Sequence, residues 1–143
     1  MLIKKIKIAL GIITKKVLTG PIEVSVDLTC RCATGCLMCW YWSPLLKEYP
    51  SEAWANQSLD YDVLLRLIDD FKKLEVKRII FGGQGDPLLY PRILKAIEAC
   101  KKNGIEVCLI TGGVYLNEEK TKAIFDLGVD HLDIGLQAAS EET

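Results

Sequence analysis

The sequence predicts an α/β fold, an incomplete parallel (β/α) barrel with about four strands. Three observations predict it. Four short apolar or alternating runs, at 22–28, 78–81, 105–110 and 131–136, are separated by stretches of helical periodicity, the order that builds a parallel sheet through right-handed crossovers. The runs are mostly apolar, as expected of strands covered on both faces. Finally, Ser140-Glu141-Glu142-Thr143 reads as the opening of a further crossover helix. The fourth strand is therefore expected to be partly uncovered, and residues 21–143 to be the N-terminal part of a longer barrel-like domain.

Residues 1–20 read as a separate element. Ile6, Leu10, Ile13 and Val17 recur at helical spacing, with lysines at 4, 5, 7, 15 and 16 on other faces, which predicts an amphipathic helix over Met1–Leu18. Such a helix packs on the bottom or edge of a domain or, being basic, lies on a membrane surface. Its longest uncharged stretch, Ile8–Thr14, is far short of the roughly 20 apolar residues a span requires.

The core begins after Gly20-Pro21. Ile22–Leu28 alternates as a strand does, a cysteine-rich loop runs from Thr29 to about Trp42, and Ser43–Gln57 reads as an irregular connection. Leu64, Leu65, Ile68, Phe71 and Leu74 mark a helix that Asp60 or Ser58 can cap. Arg78–Phe81 is a short strand running into Gly82-Gly83-Gln84-Gly85-Asp86-Pro87. Pro91 suits the first turn of a helix over Arg92–Asn103, and Gly104 its C-terminal stop. A third strand, Ile105–Ile110, ends at Thr111-Gly112-Gly113. Asn117 is the expected N-cap of Glu118–Leu127, which Gly128 terminates. His131–Leu136 is the fourth strand.

The chain has 143 residues, half of them hydrophobic, with 18 basic and 19 acidic side chains and a net charge of -1. That balance lacks the basic excess of a general nucleic-acid binder. The sequence carries six cysteines and shows no secretory signal, which places it in a reducing cytoplasm where clustered thiols serve as metal ligands or redox groups.

Four of these cysteines crowd into Cys30-Arg31-Cys32-Ala33-Thr34-Gly35-Cys36-Leu37-Met38-Cys39, just after the first strand. Cys32, Cys36 and Cys39 have the spacing C-x3-C-x2-C. Thiolates are the usual ligands of iron–sulfur clusters, and three of them on a four-iron cluster leave one iron open for chemistry. Gly35 lets the backbone turn tightly around such a group, and barrel sites gather at the C-terminal ends of strands. The competing reading is a structural zinc on Cys30, Cys32, Cys36 and Cys39, although zinc knuckles are usually paired C-x2-C units set apart. Cys30 is either a passenger or a fourth, alternative ligand.

In this loop the chain resembles the radical SAM superfamily, whose signature is C-x3-C-x2-C with an apolar or aromatic residue before the last cysteine, here Met38. The resemblance extends over roughly Val24–Ser140. It implies a radical SAM type of barrel, a [4Fe-4S] cluster on Cys32, Cys36 and Cys39, and S-adenosyl-L-methionine (SAM) bound at the open iron, with Met38 near its adenine. It further implies reductive SAM cleavage to a 5'-deoxyadenosyl radical, fed by a reductant such as flavodoxin or ferredoxin. The second strand's turn matches the family's amino-group-binding motif at Gln84, Gly85 and Asp86, with Asp86 where glutamate is commoner. Thr111 stands in a counterpart of the family's Thr-Asn-Gly. Gly135 and Gln137 fall where Ser and Asp commonly border the SAM ribose or substrate. The branch with C-terminal auxiliary-cluster domains, which modifies peptides or proteins, is the nearest in pattern; RNA and small molecules are the other substrate classes. Without that resemblance, the second turn is an ordinary strand-to-helix connection; it is no phosphate loop, since no Lys-Ser/Thr follows.

His131, the only histidine, reads as a surface or core residue. Cys100 and Cys108, in a helix and a strand, read as small buried apolar groups. Trp40, Tyr41 and Trp42 either shield the cysteine loop or simply pack. Two other outcomes stay open, a non-catalytic zinc-binding α/β module and an inactive truncated form.

Overall fold

The computed structural model describes residues 2–136. It contains helix α1 (Leu2–Thr14), strand β1 (Glu23–Val26), a short helix α2 (Glu52–Ala55), helix α3 (Tyr61–Lys73) and strand β2 (Arg78–Phe81). A 3-10 turn at Pro87–Leu89, helix α4 (Ile93–Lys102), strand β3 (Glu106–Thr111), helix α5 (Glu118–Asp126) and strand β4 (His131–Ile134) follow. The four strands form one parallel sheet in the order β1-β2-β3-β4. This is the predicted α/β architecture, an incomplete barrel. Gln137 and the helix opening read at 140–143 lie outside the described residues.

Local chemistry accounts for most boundaries. Asp60, rather than Ser58, caps α3, accepting from the backbone N–H groups of Asp62 and Val63. Asn117 accepts from Lys120 N–H and starts α5. Gly104 and Gly128 follow α4 and α5 with positive φ, as C-terminal stops do. The unpredicted element is α2, a single turn begun by Ser51, whose Oγ accepts from Trp54 N–H. A Ser-Glu-Ala-Trp run carries no periodicity by which so short a helix could be recognised.

The core lies on one face of the sheet. Ile79, Phe81, Val107 and Leu109 alternate toward it and meet Leu64 and Ile68 of α3, Ile97 and Cys100 of α4, and Ile124 of α5. Residues of this kind each contribute about 1.5–3 kcal/mol through burial. The other face carries Glu23, Ser25, Arg78, Ile80, Glu106, Ile110, His131 and Asp133, and among the described residues no helix covers it: Ile110 is 45% exposed. The expectation of two covered faces therefore holds for one. At β4 the expected exposure is found, for Ile134 is 52% exposed.

The N-terminal helix also departs from expectation. It ends at Thr14 rather than Leu18, and Ile6, Leu10, Ile13 and Val17 are all exposed. It is attached through Lys4, its one buried residue, whose Nζ donates to the carbonyls of Pro21 (3.1 Å), Leu74 (3.2 Å) and Glu75.

Candidate functional site

Parallel strands deliver their following loops to one end of the sheet, and three of those loops close on one another. An antiparallel bridge pairs Thr29 with Ser58, with Cys30 N–H donating to Gln57 O and Leu59 N–H to Leu28 O. This fixes the start of the cysteine loop against the segment preceding α3. Inside the loop, Cys39 N–H bonds Cys36 O at 2.9 Å, and Gly35 has φ +57°, the left-handed turn expected of it. The N–H groups of Tyr41 and Trp42 point at Cys39 Sγ, at 3.4 and 3.2 Å. Cys32 Sγ lies 2.9 Å from Thr34 Oγ1.

Cys32, Cys36, Met38, Cys39, Gly83–Asp86, Thr111, Gly112 and Gly135 line a single cleft at the C-terminal ends of the strands. Nine of the ten predicted site residues thus come together; the tenth, Gln137, is outside the described residues. Cys32, Cys36 and Cys39 are free, half-buried thiols, and Met38 is exposed at the rim. The backbone of the second-strand turn comes very close to its neighbours. A Cβ on Gly85 would stand 2.3 Å from Thr29 O and 2.6 Å from Arg31 O, and one on Gly83 (φ +133°) would collide with the Asp27 carboxylate. Only glycine fits at either position.

Cys30 sits apart. It lines the adjoining cleft with Asp27, Gln57 and Ser58, and its Sγ is directed to Gln84 Oε1 at 3.6 Å. Burial, followed by the Asp27 carboxylate, raises its pKa above that of an ordinary thiol. A zinc ion on Cys30, Cys32, Cys36 and Cys39 would require those thiolates to converge on one point. Among the described residues no three His, Cys, Asp or Glu side chains, Cys32, Cys36 and Cys39 included, are grouped to hold a single metal ion.

Asp86 and Thr111 point inward. The Asp86 carboxylate, 3% exposed, accepts from Leu88 N–H (2.9 Å), Gly112 N–H (3.2 Å) and the Thr111 hydroxyl (2.8 Å). Sequence reasoning missed the part played by Trp42. Its Nε1–H faces both Cys30 O (3.1 Å) and Gln84 O (3.2 Å), joining the first two loops. Both partners are backbone carbonyls remote in sequence, so no residue pattern announces the contact. Trp40, by contrast, is 89% exposed, while Tyr41 stacks on Trp54 at 5.1 Å. Cys100 and Cys108 are buried as expected; burial pushes the Cys100 thiol up to about 12. His131 is exposed beside Arg78.

A three-thiol loop after the first strand of a parallel partial barrel thus faces a glycine-rich turn on the second. The model of the radical SAM superfamily matches residues 26–143. The chain belongs to that superfamily. It is 33% identical over 108 residues to the tungsten-containing aldehyde ferredoxin oxidoreductase cofactor-modifying protein of Pyrococcus furiosus, covering 73% of this chain and 28% of that one. Over 124 residues it is 28% identical to the PqqA peptide cyclase of Methylocella silvestris, covering 87% and 31%. The chain thus spans about a third of the length of these relatives. Among solved structures, BtrN in complex with AdoMet and 2-DOIA superposes with a TM-score of 0.68 at 20% identity, over 83% of this chain and 46% of BtrN. SuiB of Streptococcus suis bound to S-adenosylmethionine gives 0.63 at 16% identity, over 90% and 27%.

Proposed function

We propose that Cys32, Cys36 and Cys39 hold a [4Fe-4S] cluster with one iron free of protein ligands, and that the chain is the N-terminal part of a radical SAM core acting on a peptide or protein. The carrying observation is the shared cleft, in which three free thiols face the glycine-rich backbone of residues 83–86 and the ends of β3 and β4. The donor set fits the group: thiolates suit iron, two backbone N–H groups already point at one sulfur, and three ligands leave a corner open.

Held by Cys32, Cys36 and Cys39, a cluster with SAM at its open iron would supply one-electron reductive cleavage of SAM and, through it, hydrogen abstraction from a substrate. The chain's own residues bind and orient. Gln84 and Gly85 present backbone to the SAM amino group, and the missing side chain at Gly85 lets that backbone pack directly against the carbonyls of Thr29 and Arg31 in the cysteine loop. Met38 flanks the adenine, and Gly135 borders the ribose or substrate. Asp86 and Thr111 act as positioning residues: their mutual hydrogen bonds lock the second loop to the third, and no polar atom of Asp86 is left over for the ligand.

A peptide substrate is supported by the likeness to a PqqA peptide cyclase and to SuiB bound to its precursor peptide SuiA. The electron source is a reductant such as flavodoxin or ferredoxin, and the thiol-rich, disulfide-free site suits a cytoplasmic setting.

Anaerobic reconstitution tests the reading. The expected product is a brown protein with about four irons per chain, bleached by dithionite, whose iron is lost in Cys36→Ala. Colourless protein with one zinc would reject the proposal. Iron without SAM cleavage, in the chain and in any longer form, would identify an inactive relative.

A further inference from the structure

The helix α1 is mounted with its apolar side turned away from the body. Lys4 is buried, Ile8 and Gly11 are half-covered, and a Cβ on Gly11 would stand 2.7 Å from Lys16 O. Positions 4, 8 and 11 run along one line of a helix and mark its inner side. Leu2, Ile6, Leu10 and Ile13 fall on the opposite arc and are 71%, 49%, 47% and 76% exposed. Lys5 and Lys7, both exposed, border that arc on its two sides, and exposed Lys15 and Lys16 follow the helix end. No acidic residue precedes Glu23. Lys7 also lines a cleft with Lys72, Lys77 and Glu75, where cations outnumber the one acid.

We propose that α1 docks the protein on an anionic membrane surface. The arc of Leu2, Ile6, Leu10 and Ile13 enters the boundary between headgroups and acyl chains, and Lys5, Lys7, Lys15 and Lys16 reach back to lipid phosphates. Charge decides for lipid: apolar residues flanked on both sides by lysines, without one acid, match an anionic bilayer, where long lysine stems lie along the apolar layer and their heads stay in water. The helix, 13 residues long, is about 20 Å from end to end and lies in the surface plane. The carbonyls that anchor Lys4 belong to Pro21, Leu74 and Glu75, at the end of the sheet where β1 and β2 begin. The cleft lies at the other end, so it opens away from the membrane. This inference does not depend on the cofactor assignment.

Co-sedimentation of the purified chain with lipid vesicles tests it. Binding to phosphatidylcholine vesicles containing about one-third phosphatidylglycerol should be at least roughly ten-fold stronger than to phosphatidylcholine alone, and should weaken with salt. The double variant Ile6→Glu, Leu10→Glu should abolish binding, and Lys5→Glu, Lys7→Glu should erase the anionic preference. Both should keep the wild-type circular dichroism spectrum, because the altered side chains are exposed. Absence of binding, or equal binding to both vesicle types, overturns the proposal. So does a dimer, seen by light scattering, that the Ile6→Glu, Leu10→Glu variant dissolves while vesicle binding is absent.

Discussion

At Asp86 one carboxylate holds the 3-10 turn, the end of β3 and the glycine-rich loop together. Removing it strands a buried N–H and a buried hydroxyl, each costly to leave unpaired. Asp86→Ala is expected to lower unfolding free energy by about 2–3 kcal/mol in urea denaturation, and to weaken SAM binding while iron content stays normal. Cys30 is expected to behave oppositely. Its sulfur faces Gln84, so Cys30→Ala should retain full iron after reconstitution; loss of a quarter or more of the iron would make it a ligand. A third residue, Asp130, sets an acid limit. Burial alone would raise its pKa, but the Lys101 ammonium at 2.6 Å and the Val107 N–H at 2.8 Å outweigh that and lower it. A carboxyl whose folded pKa lies below its unfolded value, about 3.9, contributes stability that is present above that value and lost as pH falls through the folded one. Denaturation midpoints measured from pH 6 down to pH 3 should therefore fall less steeply in Asp130→Asn than in the wild type.

Among the elements, α1 and α3 are joined by a device that hydrophobic patterning does not display. The last carbonyls of a helix lack partners within it, and at the end of α3 Lys4 fills that need, donating to Leu74 and Glu75. Lys4→Met should leave those carbonyls unmet, cost about 1–3 kcal/mol, and free α1 to early cleavage in limited proteolysis, with the rest of the domain intact. The apolar periodicity of Ile6, Leu10, Ile13 and Val17 announces the helix correctly. It cannot say which side the body takes, because a buried lysine with three carbonyl acceptors competes with the apolar stripe for that place and here wins it.

For the molecule as a whole, one sheet face is packed and the other is open. The packed face joins β2 and β3 to three helices, whereas β4 is an edge strand with little burial. Hydrogen exchange should follow that gradient: slowest at Ile79, Phe81, Val107 and Leu109, faster at His131–Ile134, since local opening tracks buried contacts. On the open face Arg78 links Glu23, Glu106 and His131. These are partly exposed pairs of small individual worth, and their place is the interior that a fuller barrel would enclose.

The sequence by itself determined the alternation of strands and helices, the cap at Asn117, the stops at Gly104 and Gly128, and the C-x3-C-x2-C loop with its glycine-rich counterpart. These are local signals, written in period, spacing and turn chemistry, and they are readable because each acts within a few residues of itself. Only the tertiary structure decided that Cys30 turns to a separate cleft, that Asp86 and Thr111 spend their polar atoms on each other, that Trp42 ties two loops, and that α1 shows its apolar side to the outside. Each of those depends on which backbone carbonyl or side chain arrives from a distant part of the chain, and a one-dimensional pattern does not encode which neighbour gets there first.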